Sequence, residues 1–393
     1  MTLSIVVTDA DQRAALATVR SLGRAGHRVH VAATAPHSLA GASRFAASES
    51  VVPDPLVAPE EFNQALRGLV ANYGAHVLLP MSEPALLAVL PERDRFDCEV
   101  PFTTADRFDR ICDKRAVLAA AQRLGIAVPA QRVLQSATDL PSLAKGPFPM
   151  VLKPARSVVG EKGARSKTFV RYARDARQLA DLVAGFPGED FPVLCQQRIE
   201  GPGTAVSLLL WDGEVKAAFA HRRLREKPPS GGVSVLRESI PLDPDLVAKS
   251  VALLREFGWQ GVAMVEYKID SATGTPYLME INGRFWGSLQ LAIDAGVDFP
   301  RLLVDCVTQA PVTPVLDYPA GVRTRWEWGE VDHLLARMRR SRASLSLPKD
   351  APSRFGAVRA FLSSFAPSVH NEVFARDDVR PFLRESANWL RGK

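Results

Sequence analysis

The sequence predicts a mixed α/β and α+β protein of two or three domains. Three observations carry this. The chain has 393 residues, too many for a single hydrophobic core. Its first hundred residues alternate apolar runs with helical periodicity, the rhythm of βαβ units. Beyond residue 200 the rhythm changes to strands joined by tight turns. Asp212-Gly213 is the strongest hairpin signal among them.

Taken in order, residues 3–7 form an apolar strand and residues 12–25 a helix with Ala15, Leu16, Val19 and Leu22 at helical spacing. Gly26 stops that helix, and residues 29–32 read as a second, parallel strand. Helices near 60–73 and 83–90 flank a strand at 77–79. Residues 1–104 therefore read as a small Rossmann-like domain. Its first turn, TDADQRAA, has no glycines, so it lacks the close backbone approach that a nicotinamide cofactor needs, and an oxidoreductase reading fails. A helix over 106–124 follows, with Lys114 inside it. Strands are expected at 150–152, 168–172 and 193–197, and a helix near 175–183. The Asp212-Gly213 hairpin comes next, then a flexible loop at 228–234, a helix over 244–257 and strands at 262–268 and 277–281. After Pro311 the chain turns rich in Arg, Trp and Pro and loses the βα rhythm, which marks 311–393 as a C-terminal extension of mixed strand and helix.

Composition narrows the function. Hydrophobic residues are 47% and charged residues 23%, ordinary for a globular protein. No apolar run approaches the roughly 20 residues of a membrane helix, and no basic leader opens the chain, so a cytoplasmic location is expected. Cys98, Cys112, Cys195 and Cys306 match no zinc or disulfide spacing and are expected as free thiols. The formal charge of +6 suits anionic small molecules and falls short of a nucleic-acid protein.

The chemistry concentrates in YLMEINGRFWGS, residues 277–288. A strand that wants burial ends in Glu280, Asn282 and Arg284, and burying such groups without partners costs several kcal/mol. The preceding strand carries Glu266. The turn between the two strands is short, so they pair antiparallel and Glu266, Glu280 and Asn282 share one face. Three oxygen donors without His or Cys suit Mg²⁺ rather than zinc. Upstream stand two lysines, Lys114 and Lys153, and a Gly/Lys-rich loop at 160–167. Lysines, loop and carboxylates together make a triphosphate clamp, since phosphoryl transfer needs chiefly positioning and charge neutralisation. No Walker-type loop is present.

The order CDKRAVLAAAQRLGIAVP, FPMVLKPARS, VLCQQRIEGPG, GVAMVEYKID, YLMEINGRFWGS resembles the ATP-grasp superfamily over residues 1–310. It is similar to the carboxylate–amine ligase branch, related to D-alanine–D-alanine ligase and the carbamoyl-phosphate synthetase large chain. The resemblance implies a pre-ATP-grasp domain at 1–104. It implies an ATP-grasp domain at 105–310, whose two α+β subdomains clasp ATP, with a mobile lid at roughly 125–196. It makes Lys114 and Lys153 phosphate ligands and makes Gln196, Gln197, Arg198 and Ile199 the hinge that meets adenine. Glu266, Glu280 and Asn282 would hold Mg²⁺, with Mn²⁺ able to substitute, and Arg284 would meet the γ-phosphate or acyl phosphate. Two departures stand out: Gln197 sits where the hinge usually carries an acid, and GPGTAVS offers no ribose-binding Glu.

Residues 219–232 bring Arg222, Arg223, Arg225 and Lys227 before a Gly-Gly loop. Arg223 and Arg225 are expected to grip phosphate or a substrate carboxylate. His221, Phe285 and Trp286 read as structural. Gly287-Ser288 could aim amides at an anion or supply a Ser N-cap, with equal weight. In VRTRWEWGE, Arg323, Arg325 and Glu327 are expected on one strand face with Trp326 and Trp328 on the other. Residues 334–344 read as a basic amphipathic helix and the C-terminus as a helix docked by Trp389 and Leu390. The implied function is a ligase that activates a carboxylate as an acyl phosphate and joins it to an amine of amino-acid type, releasing ADP and phosphate. The alternatives are a thiol ligase, a carboxylase or a non-catalytic nucleotide-binding module. Small-molecule substrates, no nucleic acid, no membrane and a possible homodimer complete the expectation.

Overall fold

The structure, a computed structural model, describes residues 1–142, 148–229, 231–345, 347 and 351–392. The N-terminal domain is a parallel sheet with strands β1 (Ser4–Val7), β2 (Arg28–Ala33), β3 (Ala46–Val51) and β4 (Val77–Leu79) in the order β3-β2-β1-β4. Helices α1 (Arg13–Arg24), α2 (Pro59–Tyr73) and α3 (Glu83–Val89) connect them. β1 is buried at every position, as a central parallel strand must be. β3 escapes the sequence reading because AASESV is a polar, largely exposed edge strand. Gly26 ends the α1–β2 turn at φ +87°, where a side chain would be strained.

The expected helix at 106–124 is two helices, α4 (Ala105–Cys112) and α5 (Lys114–Arg123). Asp113 separates them. Its backbone is extended and its carboxylate caps α5 by accepting from Arg115 N at 2.9 Å. Lys114 therefore opens a helix instead of lying within one.

The next sheet, in the segment expected as a lid, is small and has its own core. Strands β5 (Gln131–Leu134), β6 (Met150–Pro154), β9 (Arg171–Ala173) and β10 (Val193–Gln197) form it in the order β5-β10-β6-β9. β7 (Val158–Val159) and β8 (Ser166–Lys167) make a separate short hairpin, so the expected strand at 168–172 is displaced. Helix α6 (Ala176–Ala184) packs Leu179 and Val183 under the sheet against Leu152 and Val193. Residues 143–147 of this lid lie outside the described residues.

The body is a seven-stranded sheet in the order β15-β14-β11-β12-β13-β16-β17. Its strands are β11 (Gly203–Trp211), β12 (Glu214–Lys227), β13 (Val233–Ile240), β14 (Gly261–Ile269), β15 (Pro276–Asn282), β16 (Arg323–Arg325) and β17 (Val369–Asn371). Asp212 and Gly213 both take positive φ, 51° and 80°, the backbone of a two-residue type I′ hairpin. Helices α7 (Pro244–Glu256), α8 (Leu289–Asp294) and α9 (Phe299–Val307) cover this sheet, and its core is continuous with that of the N-terminal domain. Of the loop at 228–234, Ser230 is outside the described residues.

The C-terminal extension is woven into the body. β16 and β17 extend the sheet, and helices α10 (Glu327–Arg339), α11 (Arg354–Ser363) and α12 (Arg380–Leu390) follow. The expected strand face ends early: Trp326 is the N-cap of α10, and Glu327 and Trp328 are helical. The basic helix placed at 334–344 begins at Glu327 and ends at Arg339. Trp389 docks α12 by stacking on Trp328 at 4.2 Å, whereas Leu390 is exposed. Asp378 anchors the extension to the N-terminal domain. It accepts from Arg20 Nε at 2.9 Å, Ser43 Oγ at 2.6 Å and Arg44 N at 2.8 Å, with the Arg20–Asp378 pair fully buried. All four cysteines are free thiols. No helix among the described residues is long and apolar enough to cross a membrane.

Candidate functional site

β14 and β15 pair antiparallel with Glu266 directly opposite Glu280 and Met264 opposite Asn282. A bulge at the Glu266/Tyr267 step leaves this end of the ladder in phase, so Glu266, Glu280 and Asn282 share a face as the alternation requires. Tyr267 and Leu278 fill the core behind them. Glu266 accepts from Arg223 and from Asn282 Nδ2 at 2.9 Å, and Asn282 Oδ1 accepts from Arg284 Nη2 at 3.0 Å.

Cations gather on this face from four elements. Lys114 opens α5, is buried, and donates to Ser157 Oγ at 2.8 Å. Lys153 comes from β6 in the lid, Arg223 from β12, and Arg284 from the turn after β15. Burial favours a protonated Glu280, but Lys114, Lys153, Arg223 and Arg284 outweigh it and lower its pKa. Across the ladder, burial and the Glu280 charge prevail over Arg223 and raise Glu266. Burial lowers Lys153, and Lys114 adds to the effect against the pull of Glu280. Burial also opposes the Arg223 charge, yet Glu266 and Glu226 win and raise its pKa. One carboxylate thus stays ionised because the cations need it, and the clustered cations need an anion.

The hinge segment lies where the lid sheet passes into the body. Gln196 is buried and donates to Gln131 Oε1 at 2.9 Å; Gln197 is exposed, with its backbone N–H on Ala130 O at 2.8 Å; Ile199 is buried. Arg198 lies over the Tyr172 ring at 5.8 Å. Arg225 does not join the cluster. Bulges on either side of it break the alternation with Arg223 and turn it onto Glu330 of α10. Arg222 pairs with Glu238 and Lys227 with Asp332, so of the four cations before the Gly-Gly loop only Arg223 reaches the carboxylates. Ser288 makes no side-chain cap to α8, which corrects the N-cap reading; its hydroxyl lies 3.3 Å from His221 Nε2. Burial, with Arg223 and Arg237 beside it, pushes His221 down to about 3, so it stays neutral. Phe285 and Trp286 are core residues.

Some residues here carried no sequence signal. Glu83, the first residue of α3, lies near Arg284, Lys114 and Glu280, and burial raises its pKa. Glu226 and Lys268 lie close to each other near Arg223. Glu83 belongs to no motif, and a helix from the first domain cannot be placed beside β15 by periodicity; Glu226 and Lys268 lie inside segments singled out in the sequence but received no role there.

A profile describing an ATP-grasp in the biosynthetic pathway with Ter operon matches residues 189–329, which span β10 through β16 and all of Glu266, Glu280, Asn282 and Arg284. Solved structures match over most of the chain. The L-amino acid ligase from Bacillus licheniformis is 18% identical with a TM-score of 0.60, covering 80% of this chain and 78% of its own. The biotin carboxylase domain of 2-oxoglutarate carboxylase from Hydrogenobacter thermophilus, solved with MgADP, ADP and bicarbonate, is 15% identical with a TM-score of 0.64, covering 82% and 74%. The chain has the ATP-grasp fold. N5-Carboxyaminoimidazole synthetase from Staphylococcus aureus matches similarly, at 12% identity, a TM-score of 0.61 and 80% coverage of each chain. No curated protein matches by sequence at the same stringency.

The donor set of this chain fits Mg²⁺ held together with a nucleotide. Two carboxylates and an amide are too few for a closed cage, and no cluster of three or more His, Cys, Asp or Glu able to hold a metal occurs among the described residues. Mg²⁺ characteristically takes one or two carboxylates and completes its shell with phosphate oxygens and water.

Proposed function

We propose that this ATP-grasp protein is a carboxylate–amine ligase, with ATP as the phosphoryl donor. The observation that supports it best is Glu280, ionised at the meeting point of Lys114, Lys153, Arg223 and Arg284, with Glu266 opposite. Lys114 and Lys153 are assigned to the phosphates, Gln196–Ile199 to the adenine edge, and Glu266, Glu280 and Asn282 to Mg²⁺. When bound, Mg²⁺ would neutralise phosphate charge. Arg225 is assigned to the α10 interface and leaves the catalytic set.

The carboxylate oxygen of the donor substrate attacks the γ-phosphorus and the bond to ADP breaks, giving an acyl phosphate. Lys153 and Arg284 neutralise two anions that would otherwise repel, the largest contribution such a site makes. A neutral amine then attacks the acyl carbon; the C–O bond to phosphate breaks, and the amine's surplus proton leaves with the phosphate. Lid and body exclude water, which would otherwise hydrolyse the acyl phosphate.

Trapping tests this. Protein, ATP, Mg²⁺ and pools of carboxylates are incubated with hydroxylamine, following hydroxamate by mass and nucleotide by chromatography. Hydroxamate with ADP is expected. Hydroxamate with AMP replaces the mechanism by adenylation, and bound ATP without turnover removes the enzyme reading for those pools.

A further inference from the structure

The cavity that begins at Glu266, Glu280 and Arg284 has a second end. Its volume is about 510 Å³, and its far wall is built from Gln12 and Arg13 of the N-terminal domain, Arg237 of β13, and Trp326 and Glu385 of the extension. The N-terminal domain, the body and the extension together close one corner.

Arg13 is held there as a fork. Its guanidinium carbon lies 3.7 Å from the centroid of the Trp326 ring, and its Nε lies 3.1 Å from Glu372 Oε2. Neither Nη group donates a hydrogen bond among the described residues. Stacking on the aromatic ring and the ion pair with Glu372 hold the plane, although Nε makes no hydrogen bond, and leave the two-pronged edge for a ligand. Arg237 is wholly buried. It donates to Glu372 and to Ser234 O at 3.2 Å, while its Nε has no partner. Glu385 accepts from Trp326 Nε1 at 2.9 Å through one oxygen, and its other oxygen is buried without a partner. The N-terminus of α1, with no side-chain cap from Gln12, faces the same space. Helix dipole, guanidinium fork and an unsatisfied buried donor all ask for an anion.

The charge balance selects the anion. Glu372 neutralises one of the two guanidiniums, and Glu327 is occupied by the amides of Val373 and Phe374. With Asp11 and Glu385 also on the wall, the corner offers guanidinium donors but little excess positive charge. This suits a monoanionic carboxylate and repels a phosphate dianion. We propose that Arg13, stacked on Trp326, is the fork that binds the free carboxylate of an amino-acid acceptor, so that the acceptor's amine faces the acyl phosphate formed near Glu280. The proposal rests on the ligase reading, and it makes the C-terminal extension part of substrate recognition.

Binding separates this subsite from the chemistry. Full-length protein, Arg13→Gln and Arg13→Lys are titrated calorimetrically with the standard L-amino acids and their α-amides, in the presence of MgATP, and with MgATP alone. One or more acids is expected to bind, with its amide weaker by about tenfold or more, as loss of a charge-assisted contact implies. Arg13→Gln loses about the same factor for the acid, and Arg13→Lys falls between, because an ammonium cannot reproduce a stacked fork. All three proteins bind MgATP alike. Absence of any amino-acid binding, an amide that binds as well as its acid, or an Arg13→Gln protein with undiminished affinity overturns the proposal. The acid–amide comparison needs no variant and stands if a substitution fails to fold. Hydroxamate formation without amino-acid binding would sink the subsite and leave the ligase; amino-acid binding through Arg13 without MgATP binding would do the reverse.

Discussion

The two ends of the 510 Å³ cavity are built in opposite ways. At one end, Glu266, Glu280, Asn282 and Arg284 come from two adjacent strands and the turn after them, within nineteen residues of each other. At the other, Arg13, Arg237, Trp326, Glu372 and Glu385 span nearly the whole chain. The first end needs only a hairpin in register. The second exists only once the N-terminal domain, the body and the extension have docked. On the proposed reading, phosphate chemistry would sit on a local motif and substrate selection on an assembly.

The sharpest test of that contrast is Glu280→Gln. It removes the one carboxylate that four cations keep ionised, and ADP release should fall by about 10³-fold, the scale of losing a preorganised charge at a reacting centre. Turnover close to wild type in a folded variant would break the assignment of the local end. At the assembled end, Asp378→Ala strips a buried carboxylate from Arg20, Ser43 and Arg44 and should cost about 3–5 kcal/mol in urea unfolding, since the Arg20 charge is left buried alone. Arg225→Ala should cost about 3 kcal/mol by orphaning Glu330, with ADP release per folded molecule unaltered; a selective loss of turnover would return Arg225 to the phosphate site.

A pH series sharpens the comparison further. Burial pushes Glu385 up to about 7, with Trp326 and Arg13 opposing and Glu327 and Glu372 adding to it. Between the ordinary carboxylate range and about 7 the folded protein holds a proton that the unfolded chain has released. Glu385 therefore makes stability fall as pH rises through that window, with no further loss above it. Glu385→Gln should flatten this part of the profile in urea midpoints measured from pH 5 to pH 8; an unchanged slope would remove the buried acid. The smallest effect belongs to Asp377→Ala. Its pair with Arg24 bridges the same two domains as Asp378 but is about half exposed, and it should cost about 0–1 kcal/mol.

Much of the first end was legible because its determinants are local. Period-two alternation put Glu266, Glu280 and Asn282 on one face, and the Asp212-Gly213 turn fixed the hairpin beside them. Short-range chemistry also misled where a single residue redirected the chain. Asp113 capped a new helix in the middle of an expected one, and Trp326 began a helix where a strand face was expected. The backbone has two satisfactory ways to continue at such points, and only packing selects between them.

The sequence by itself determined the alternation of strands and helices, the carboxylate hairpin and the lysines before and within the lid, because propensity, turn geometry and side-chain period act over a few residues. Tertiary structure alone decided which cations reach those carboxylates. Two bulges sent Arg223 to Glu266 and Arg225 to Glu330, though both stand on one strand two residues apart. It also decided that Arg13 stacks on Trp326 and that Glu83 lies near Glu280. Such contacts follow from the burial of a shared core between domains, and their partners are separated by too many residues for any local pattern to record them.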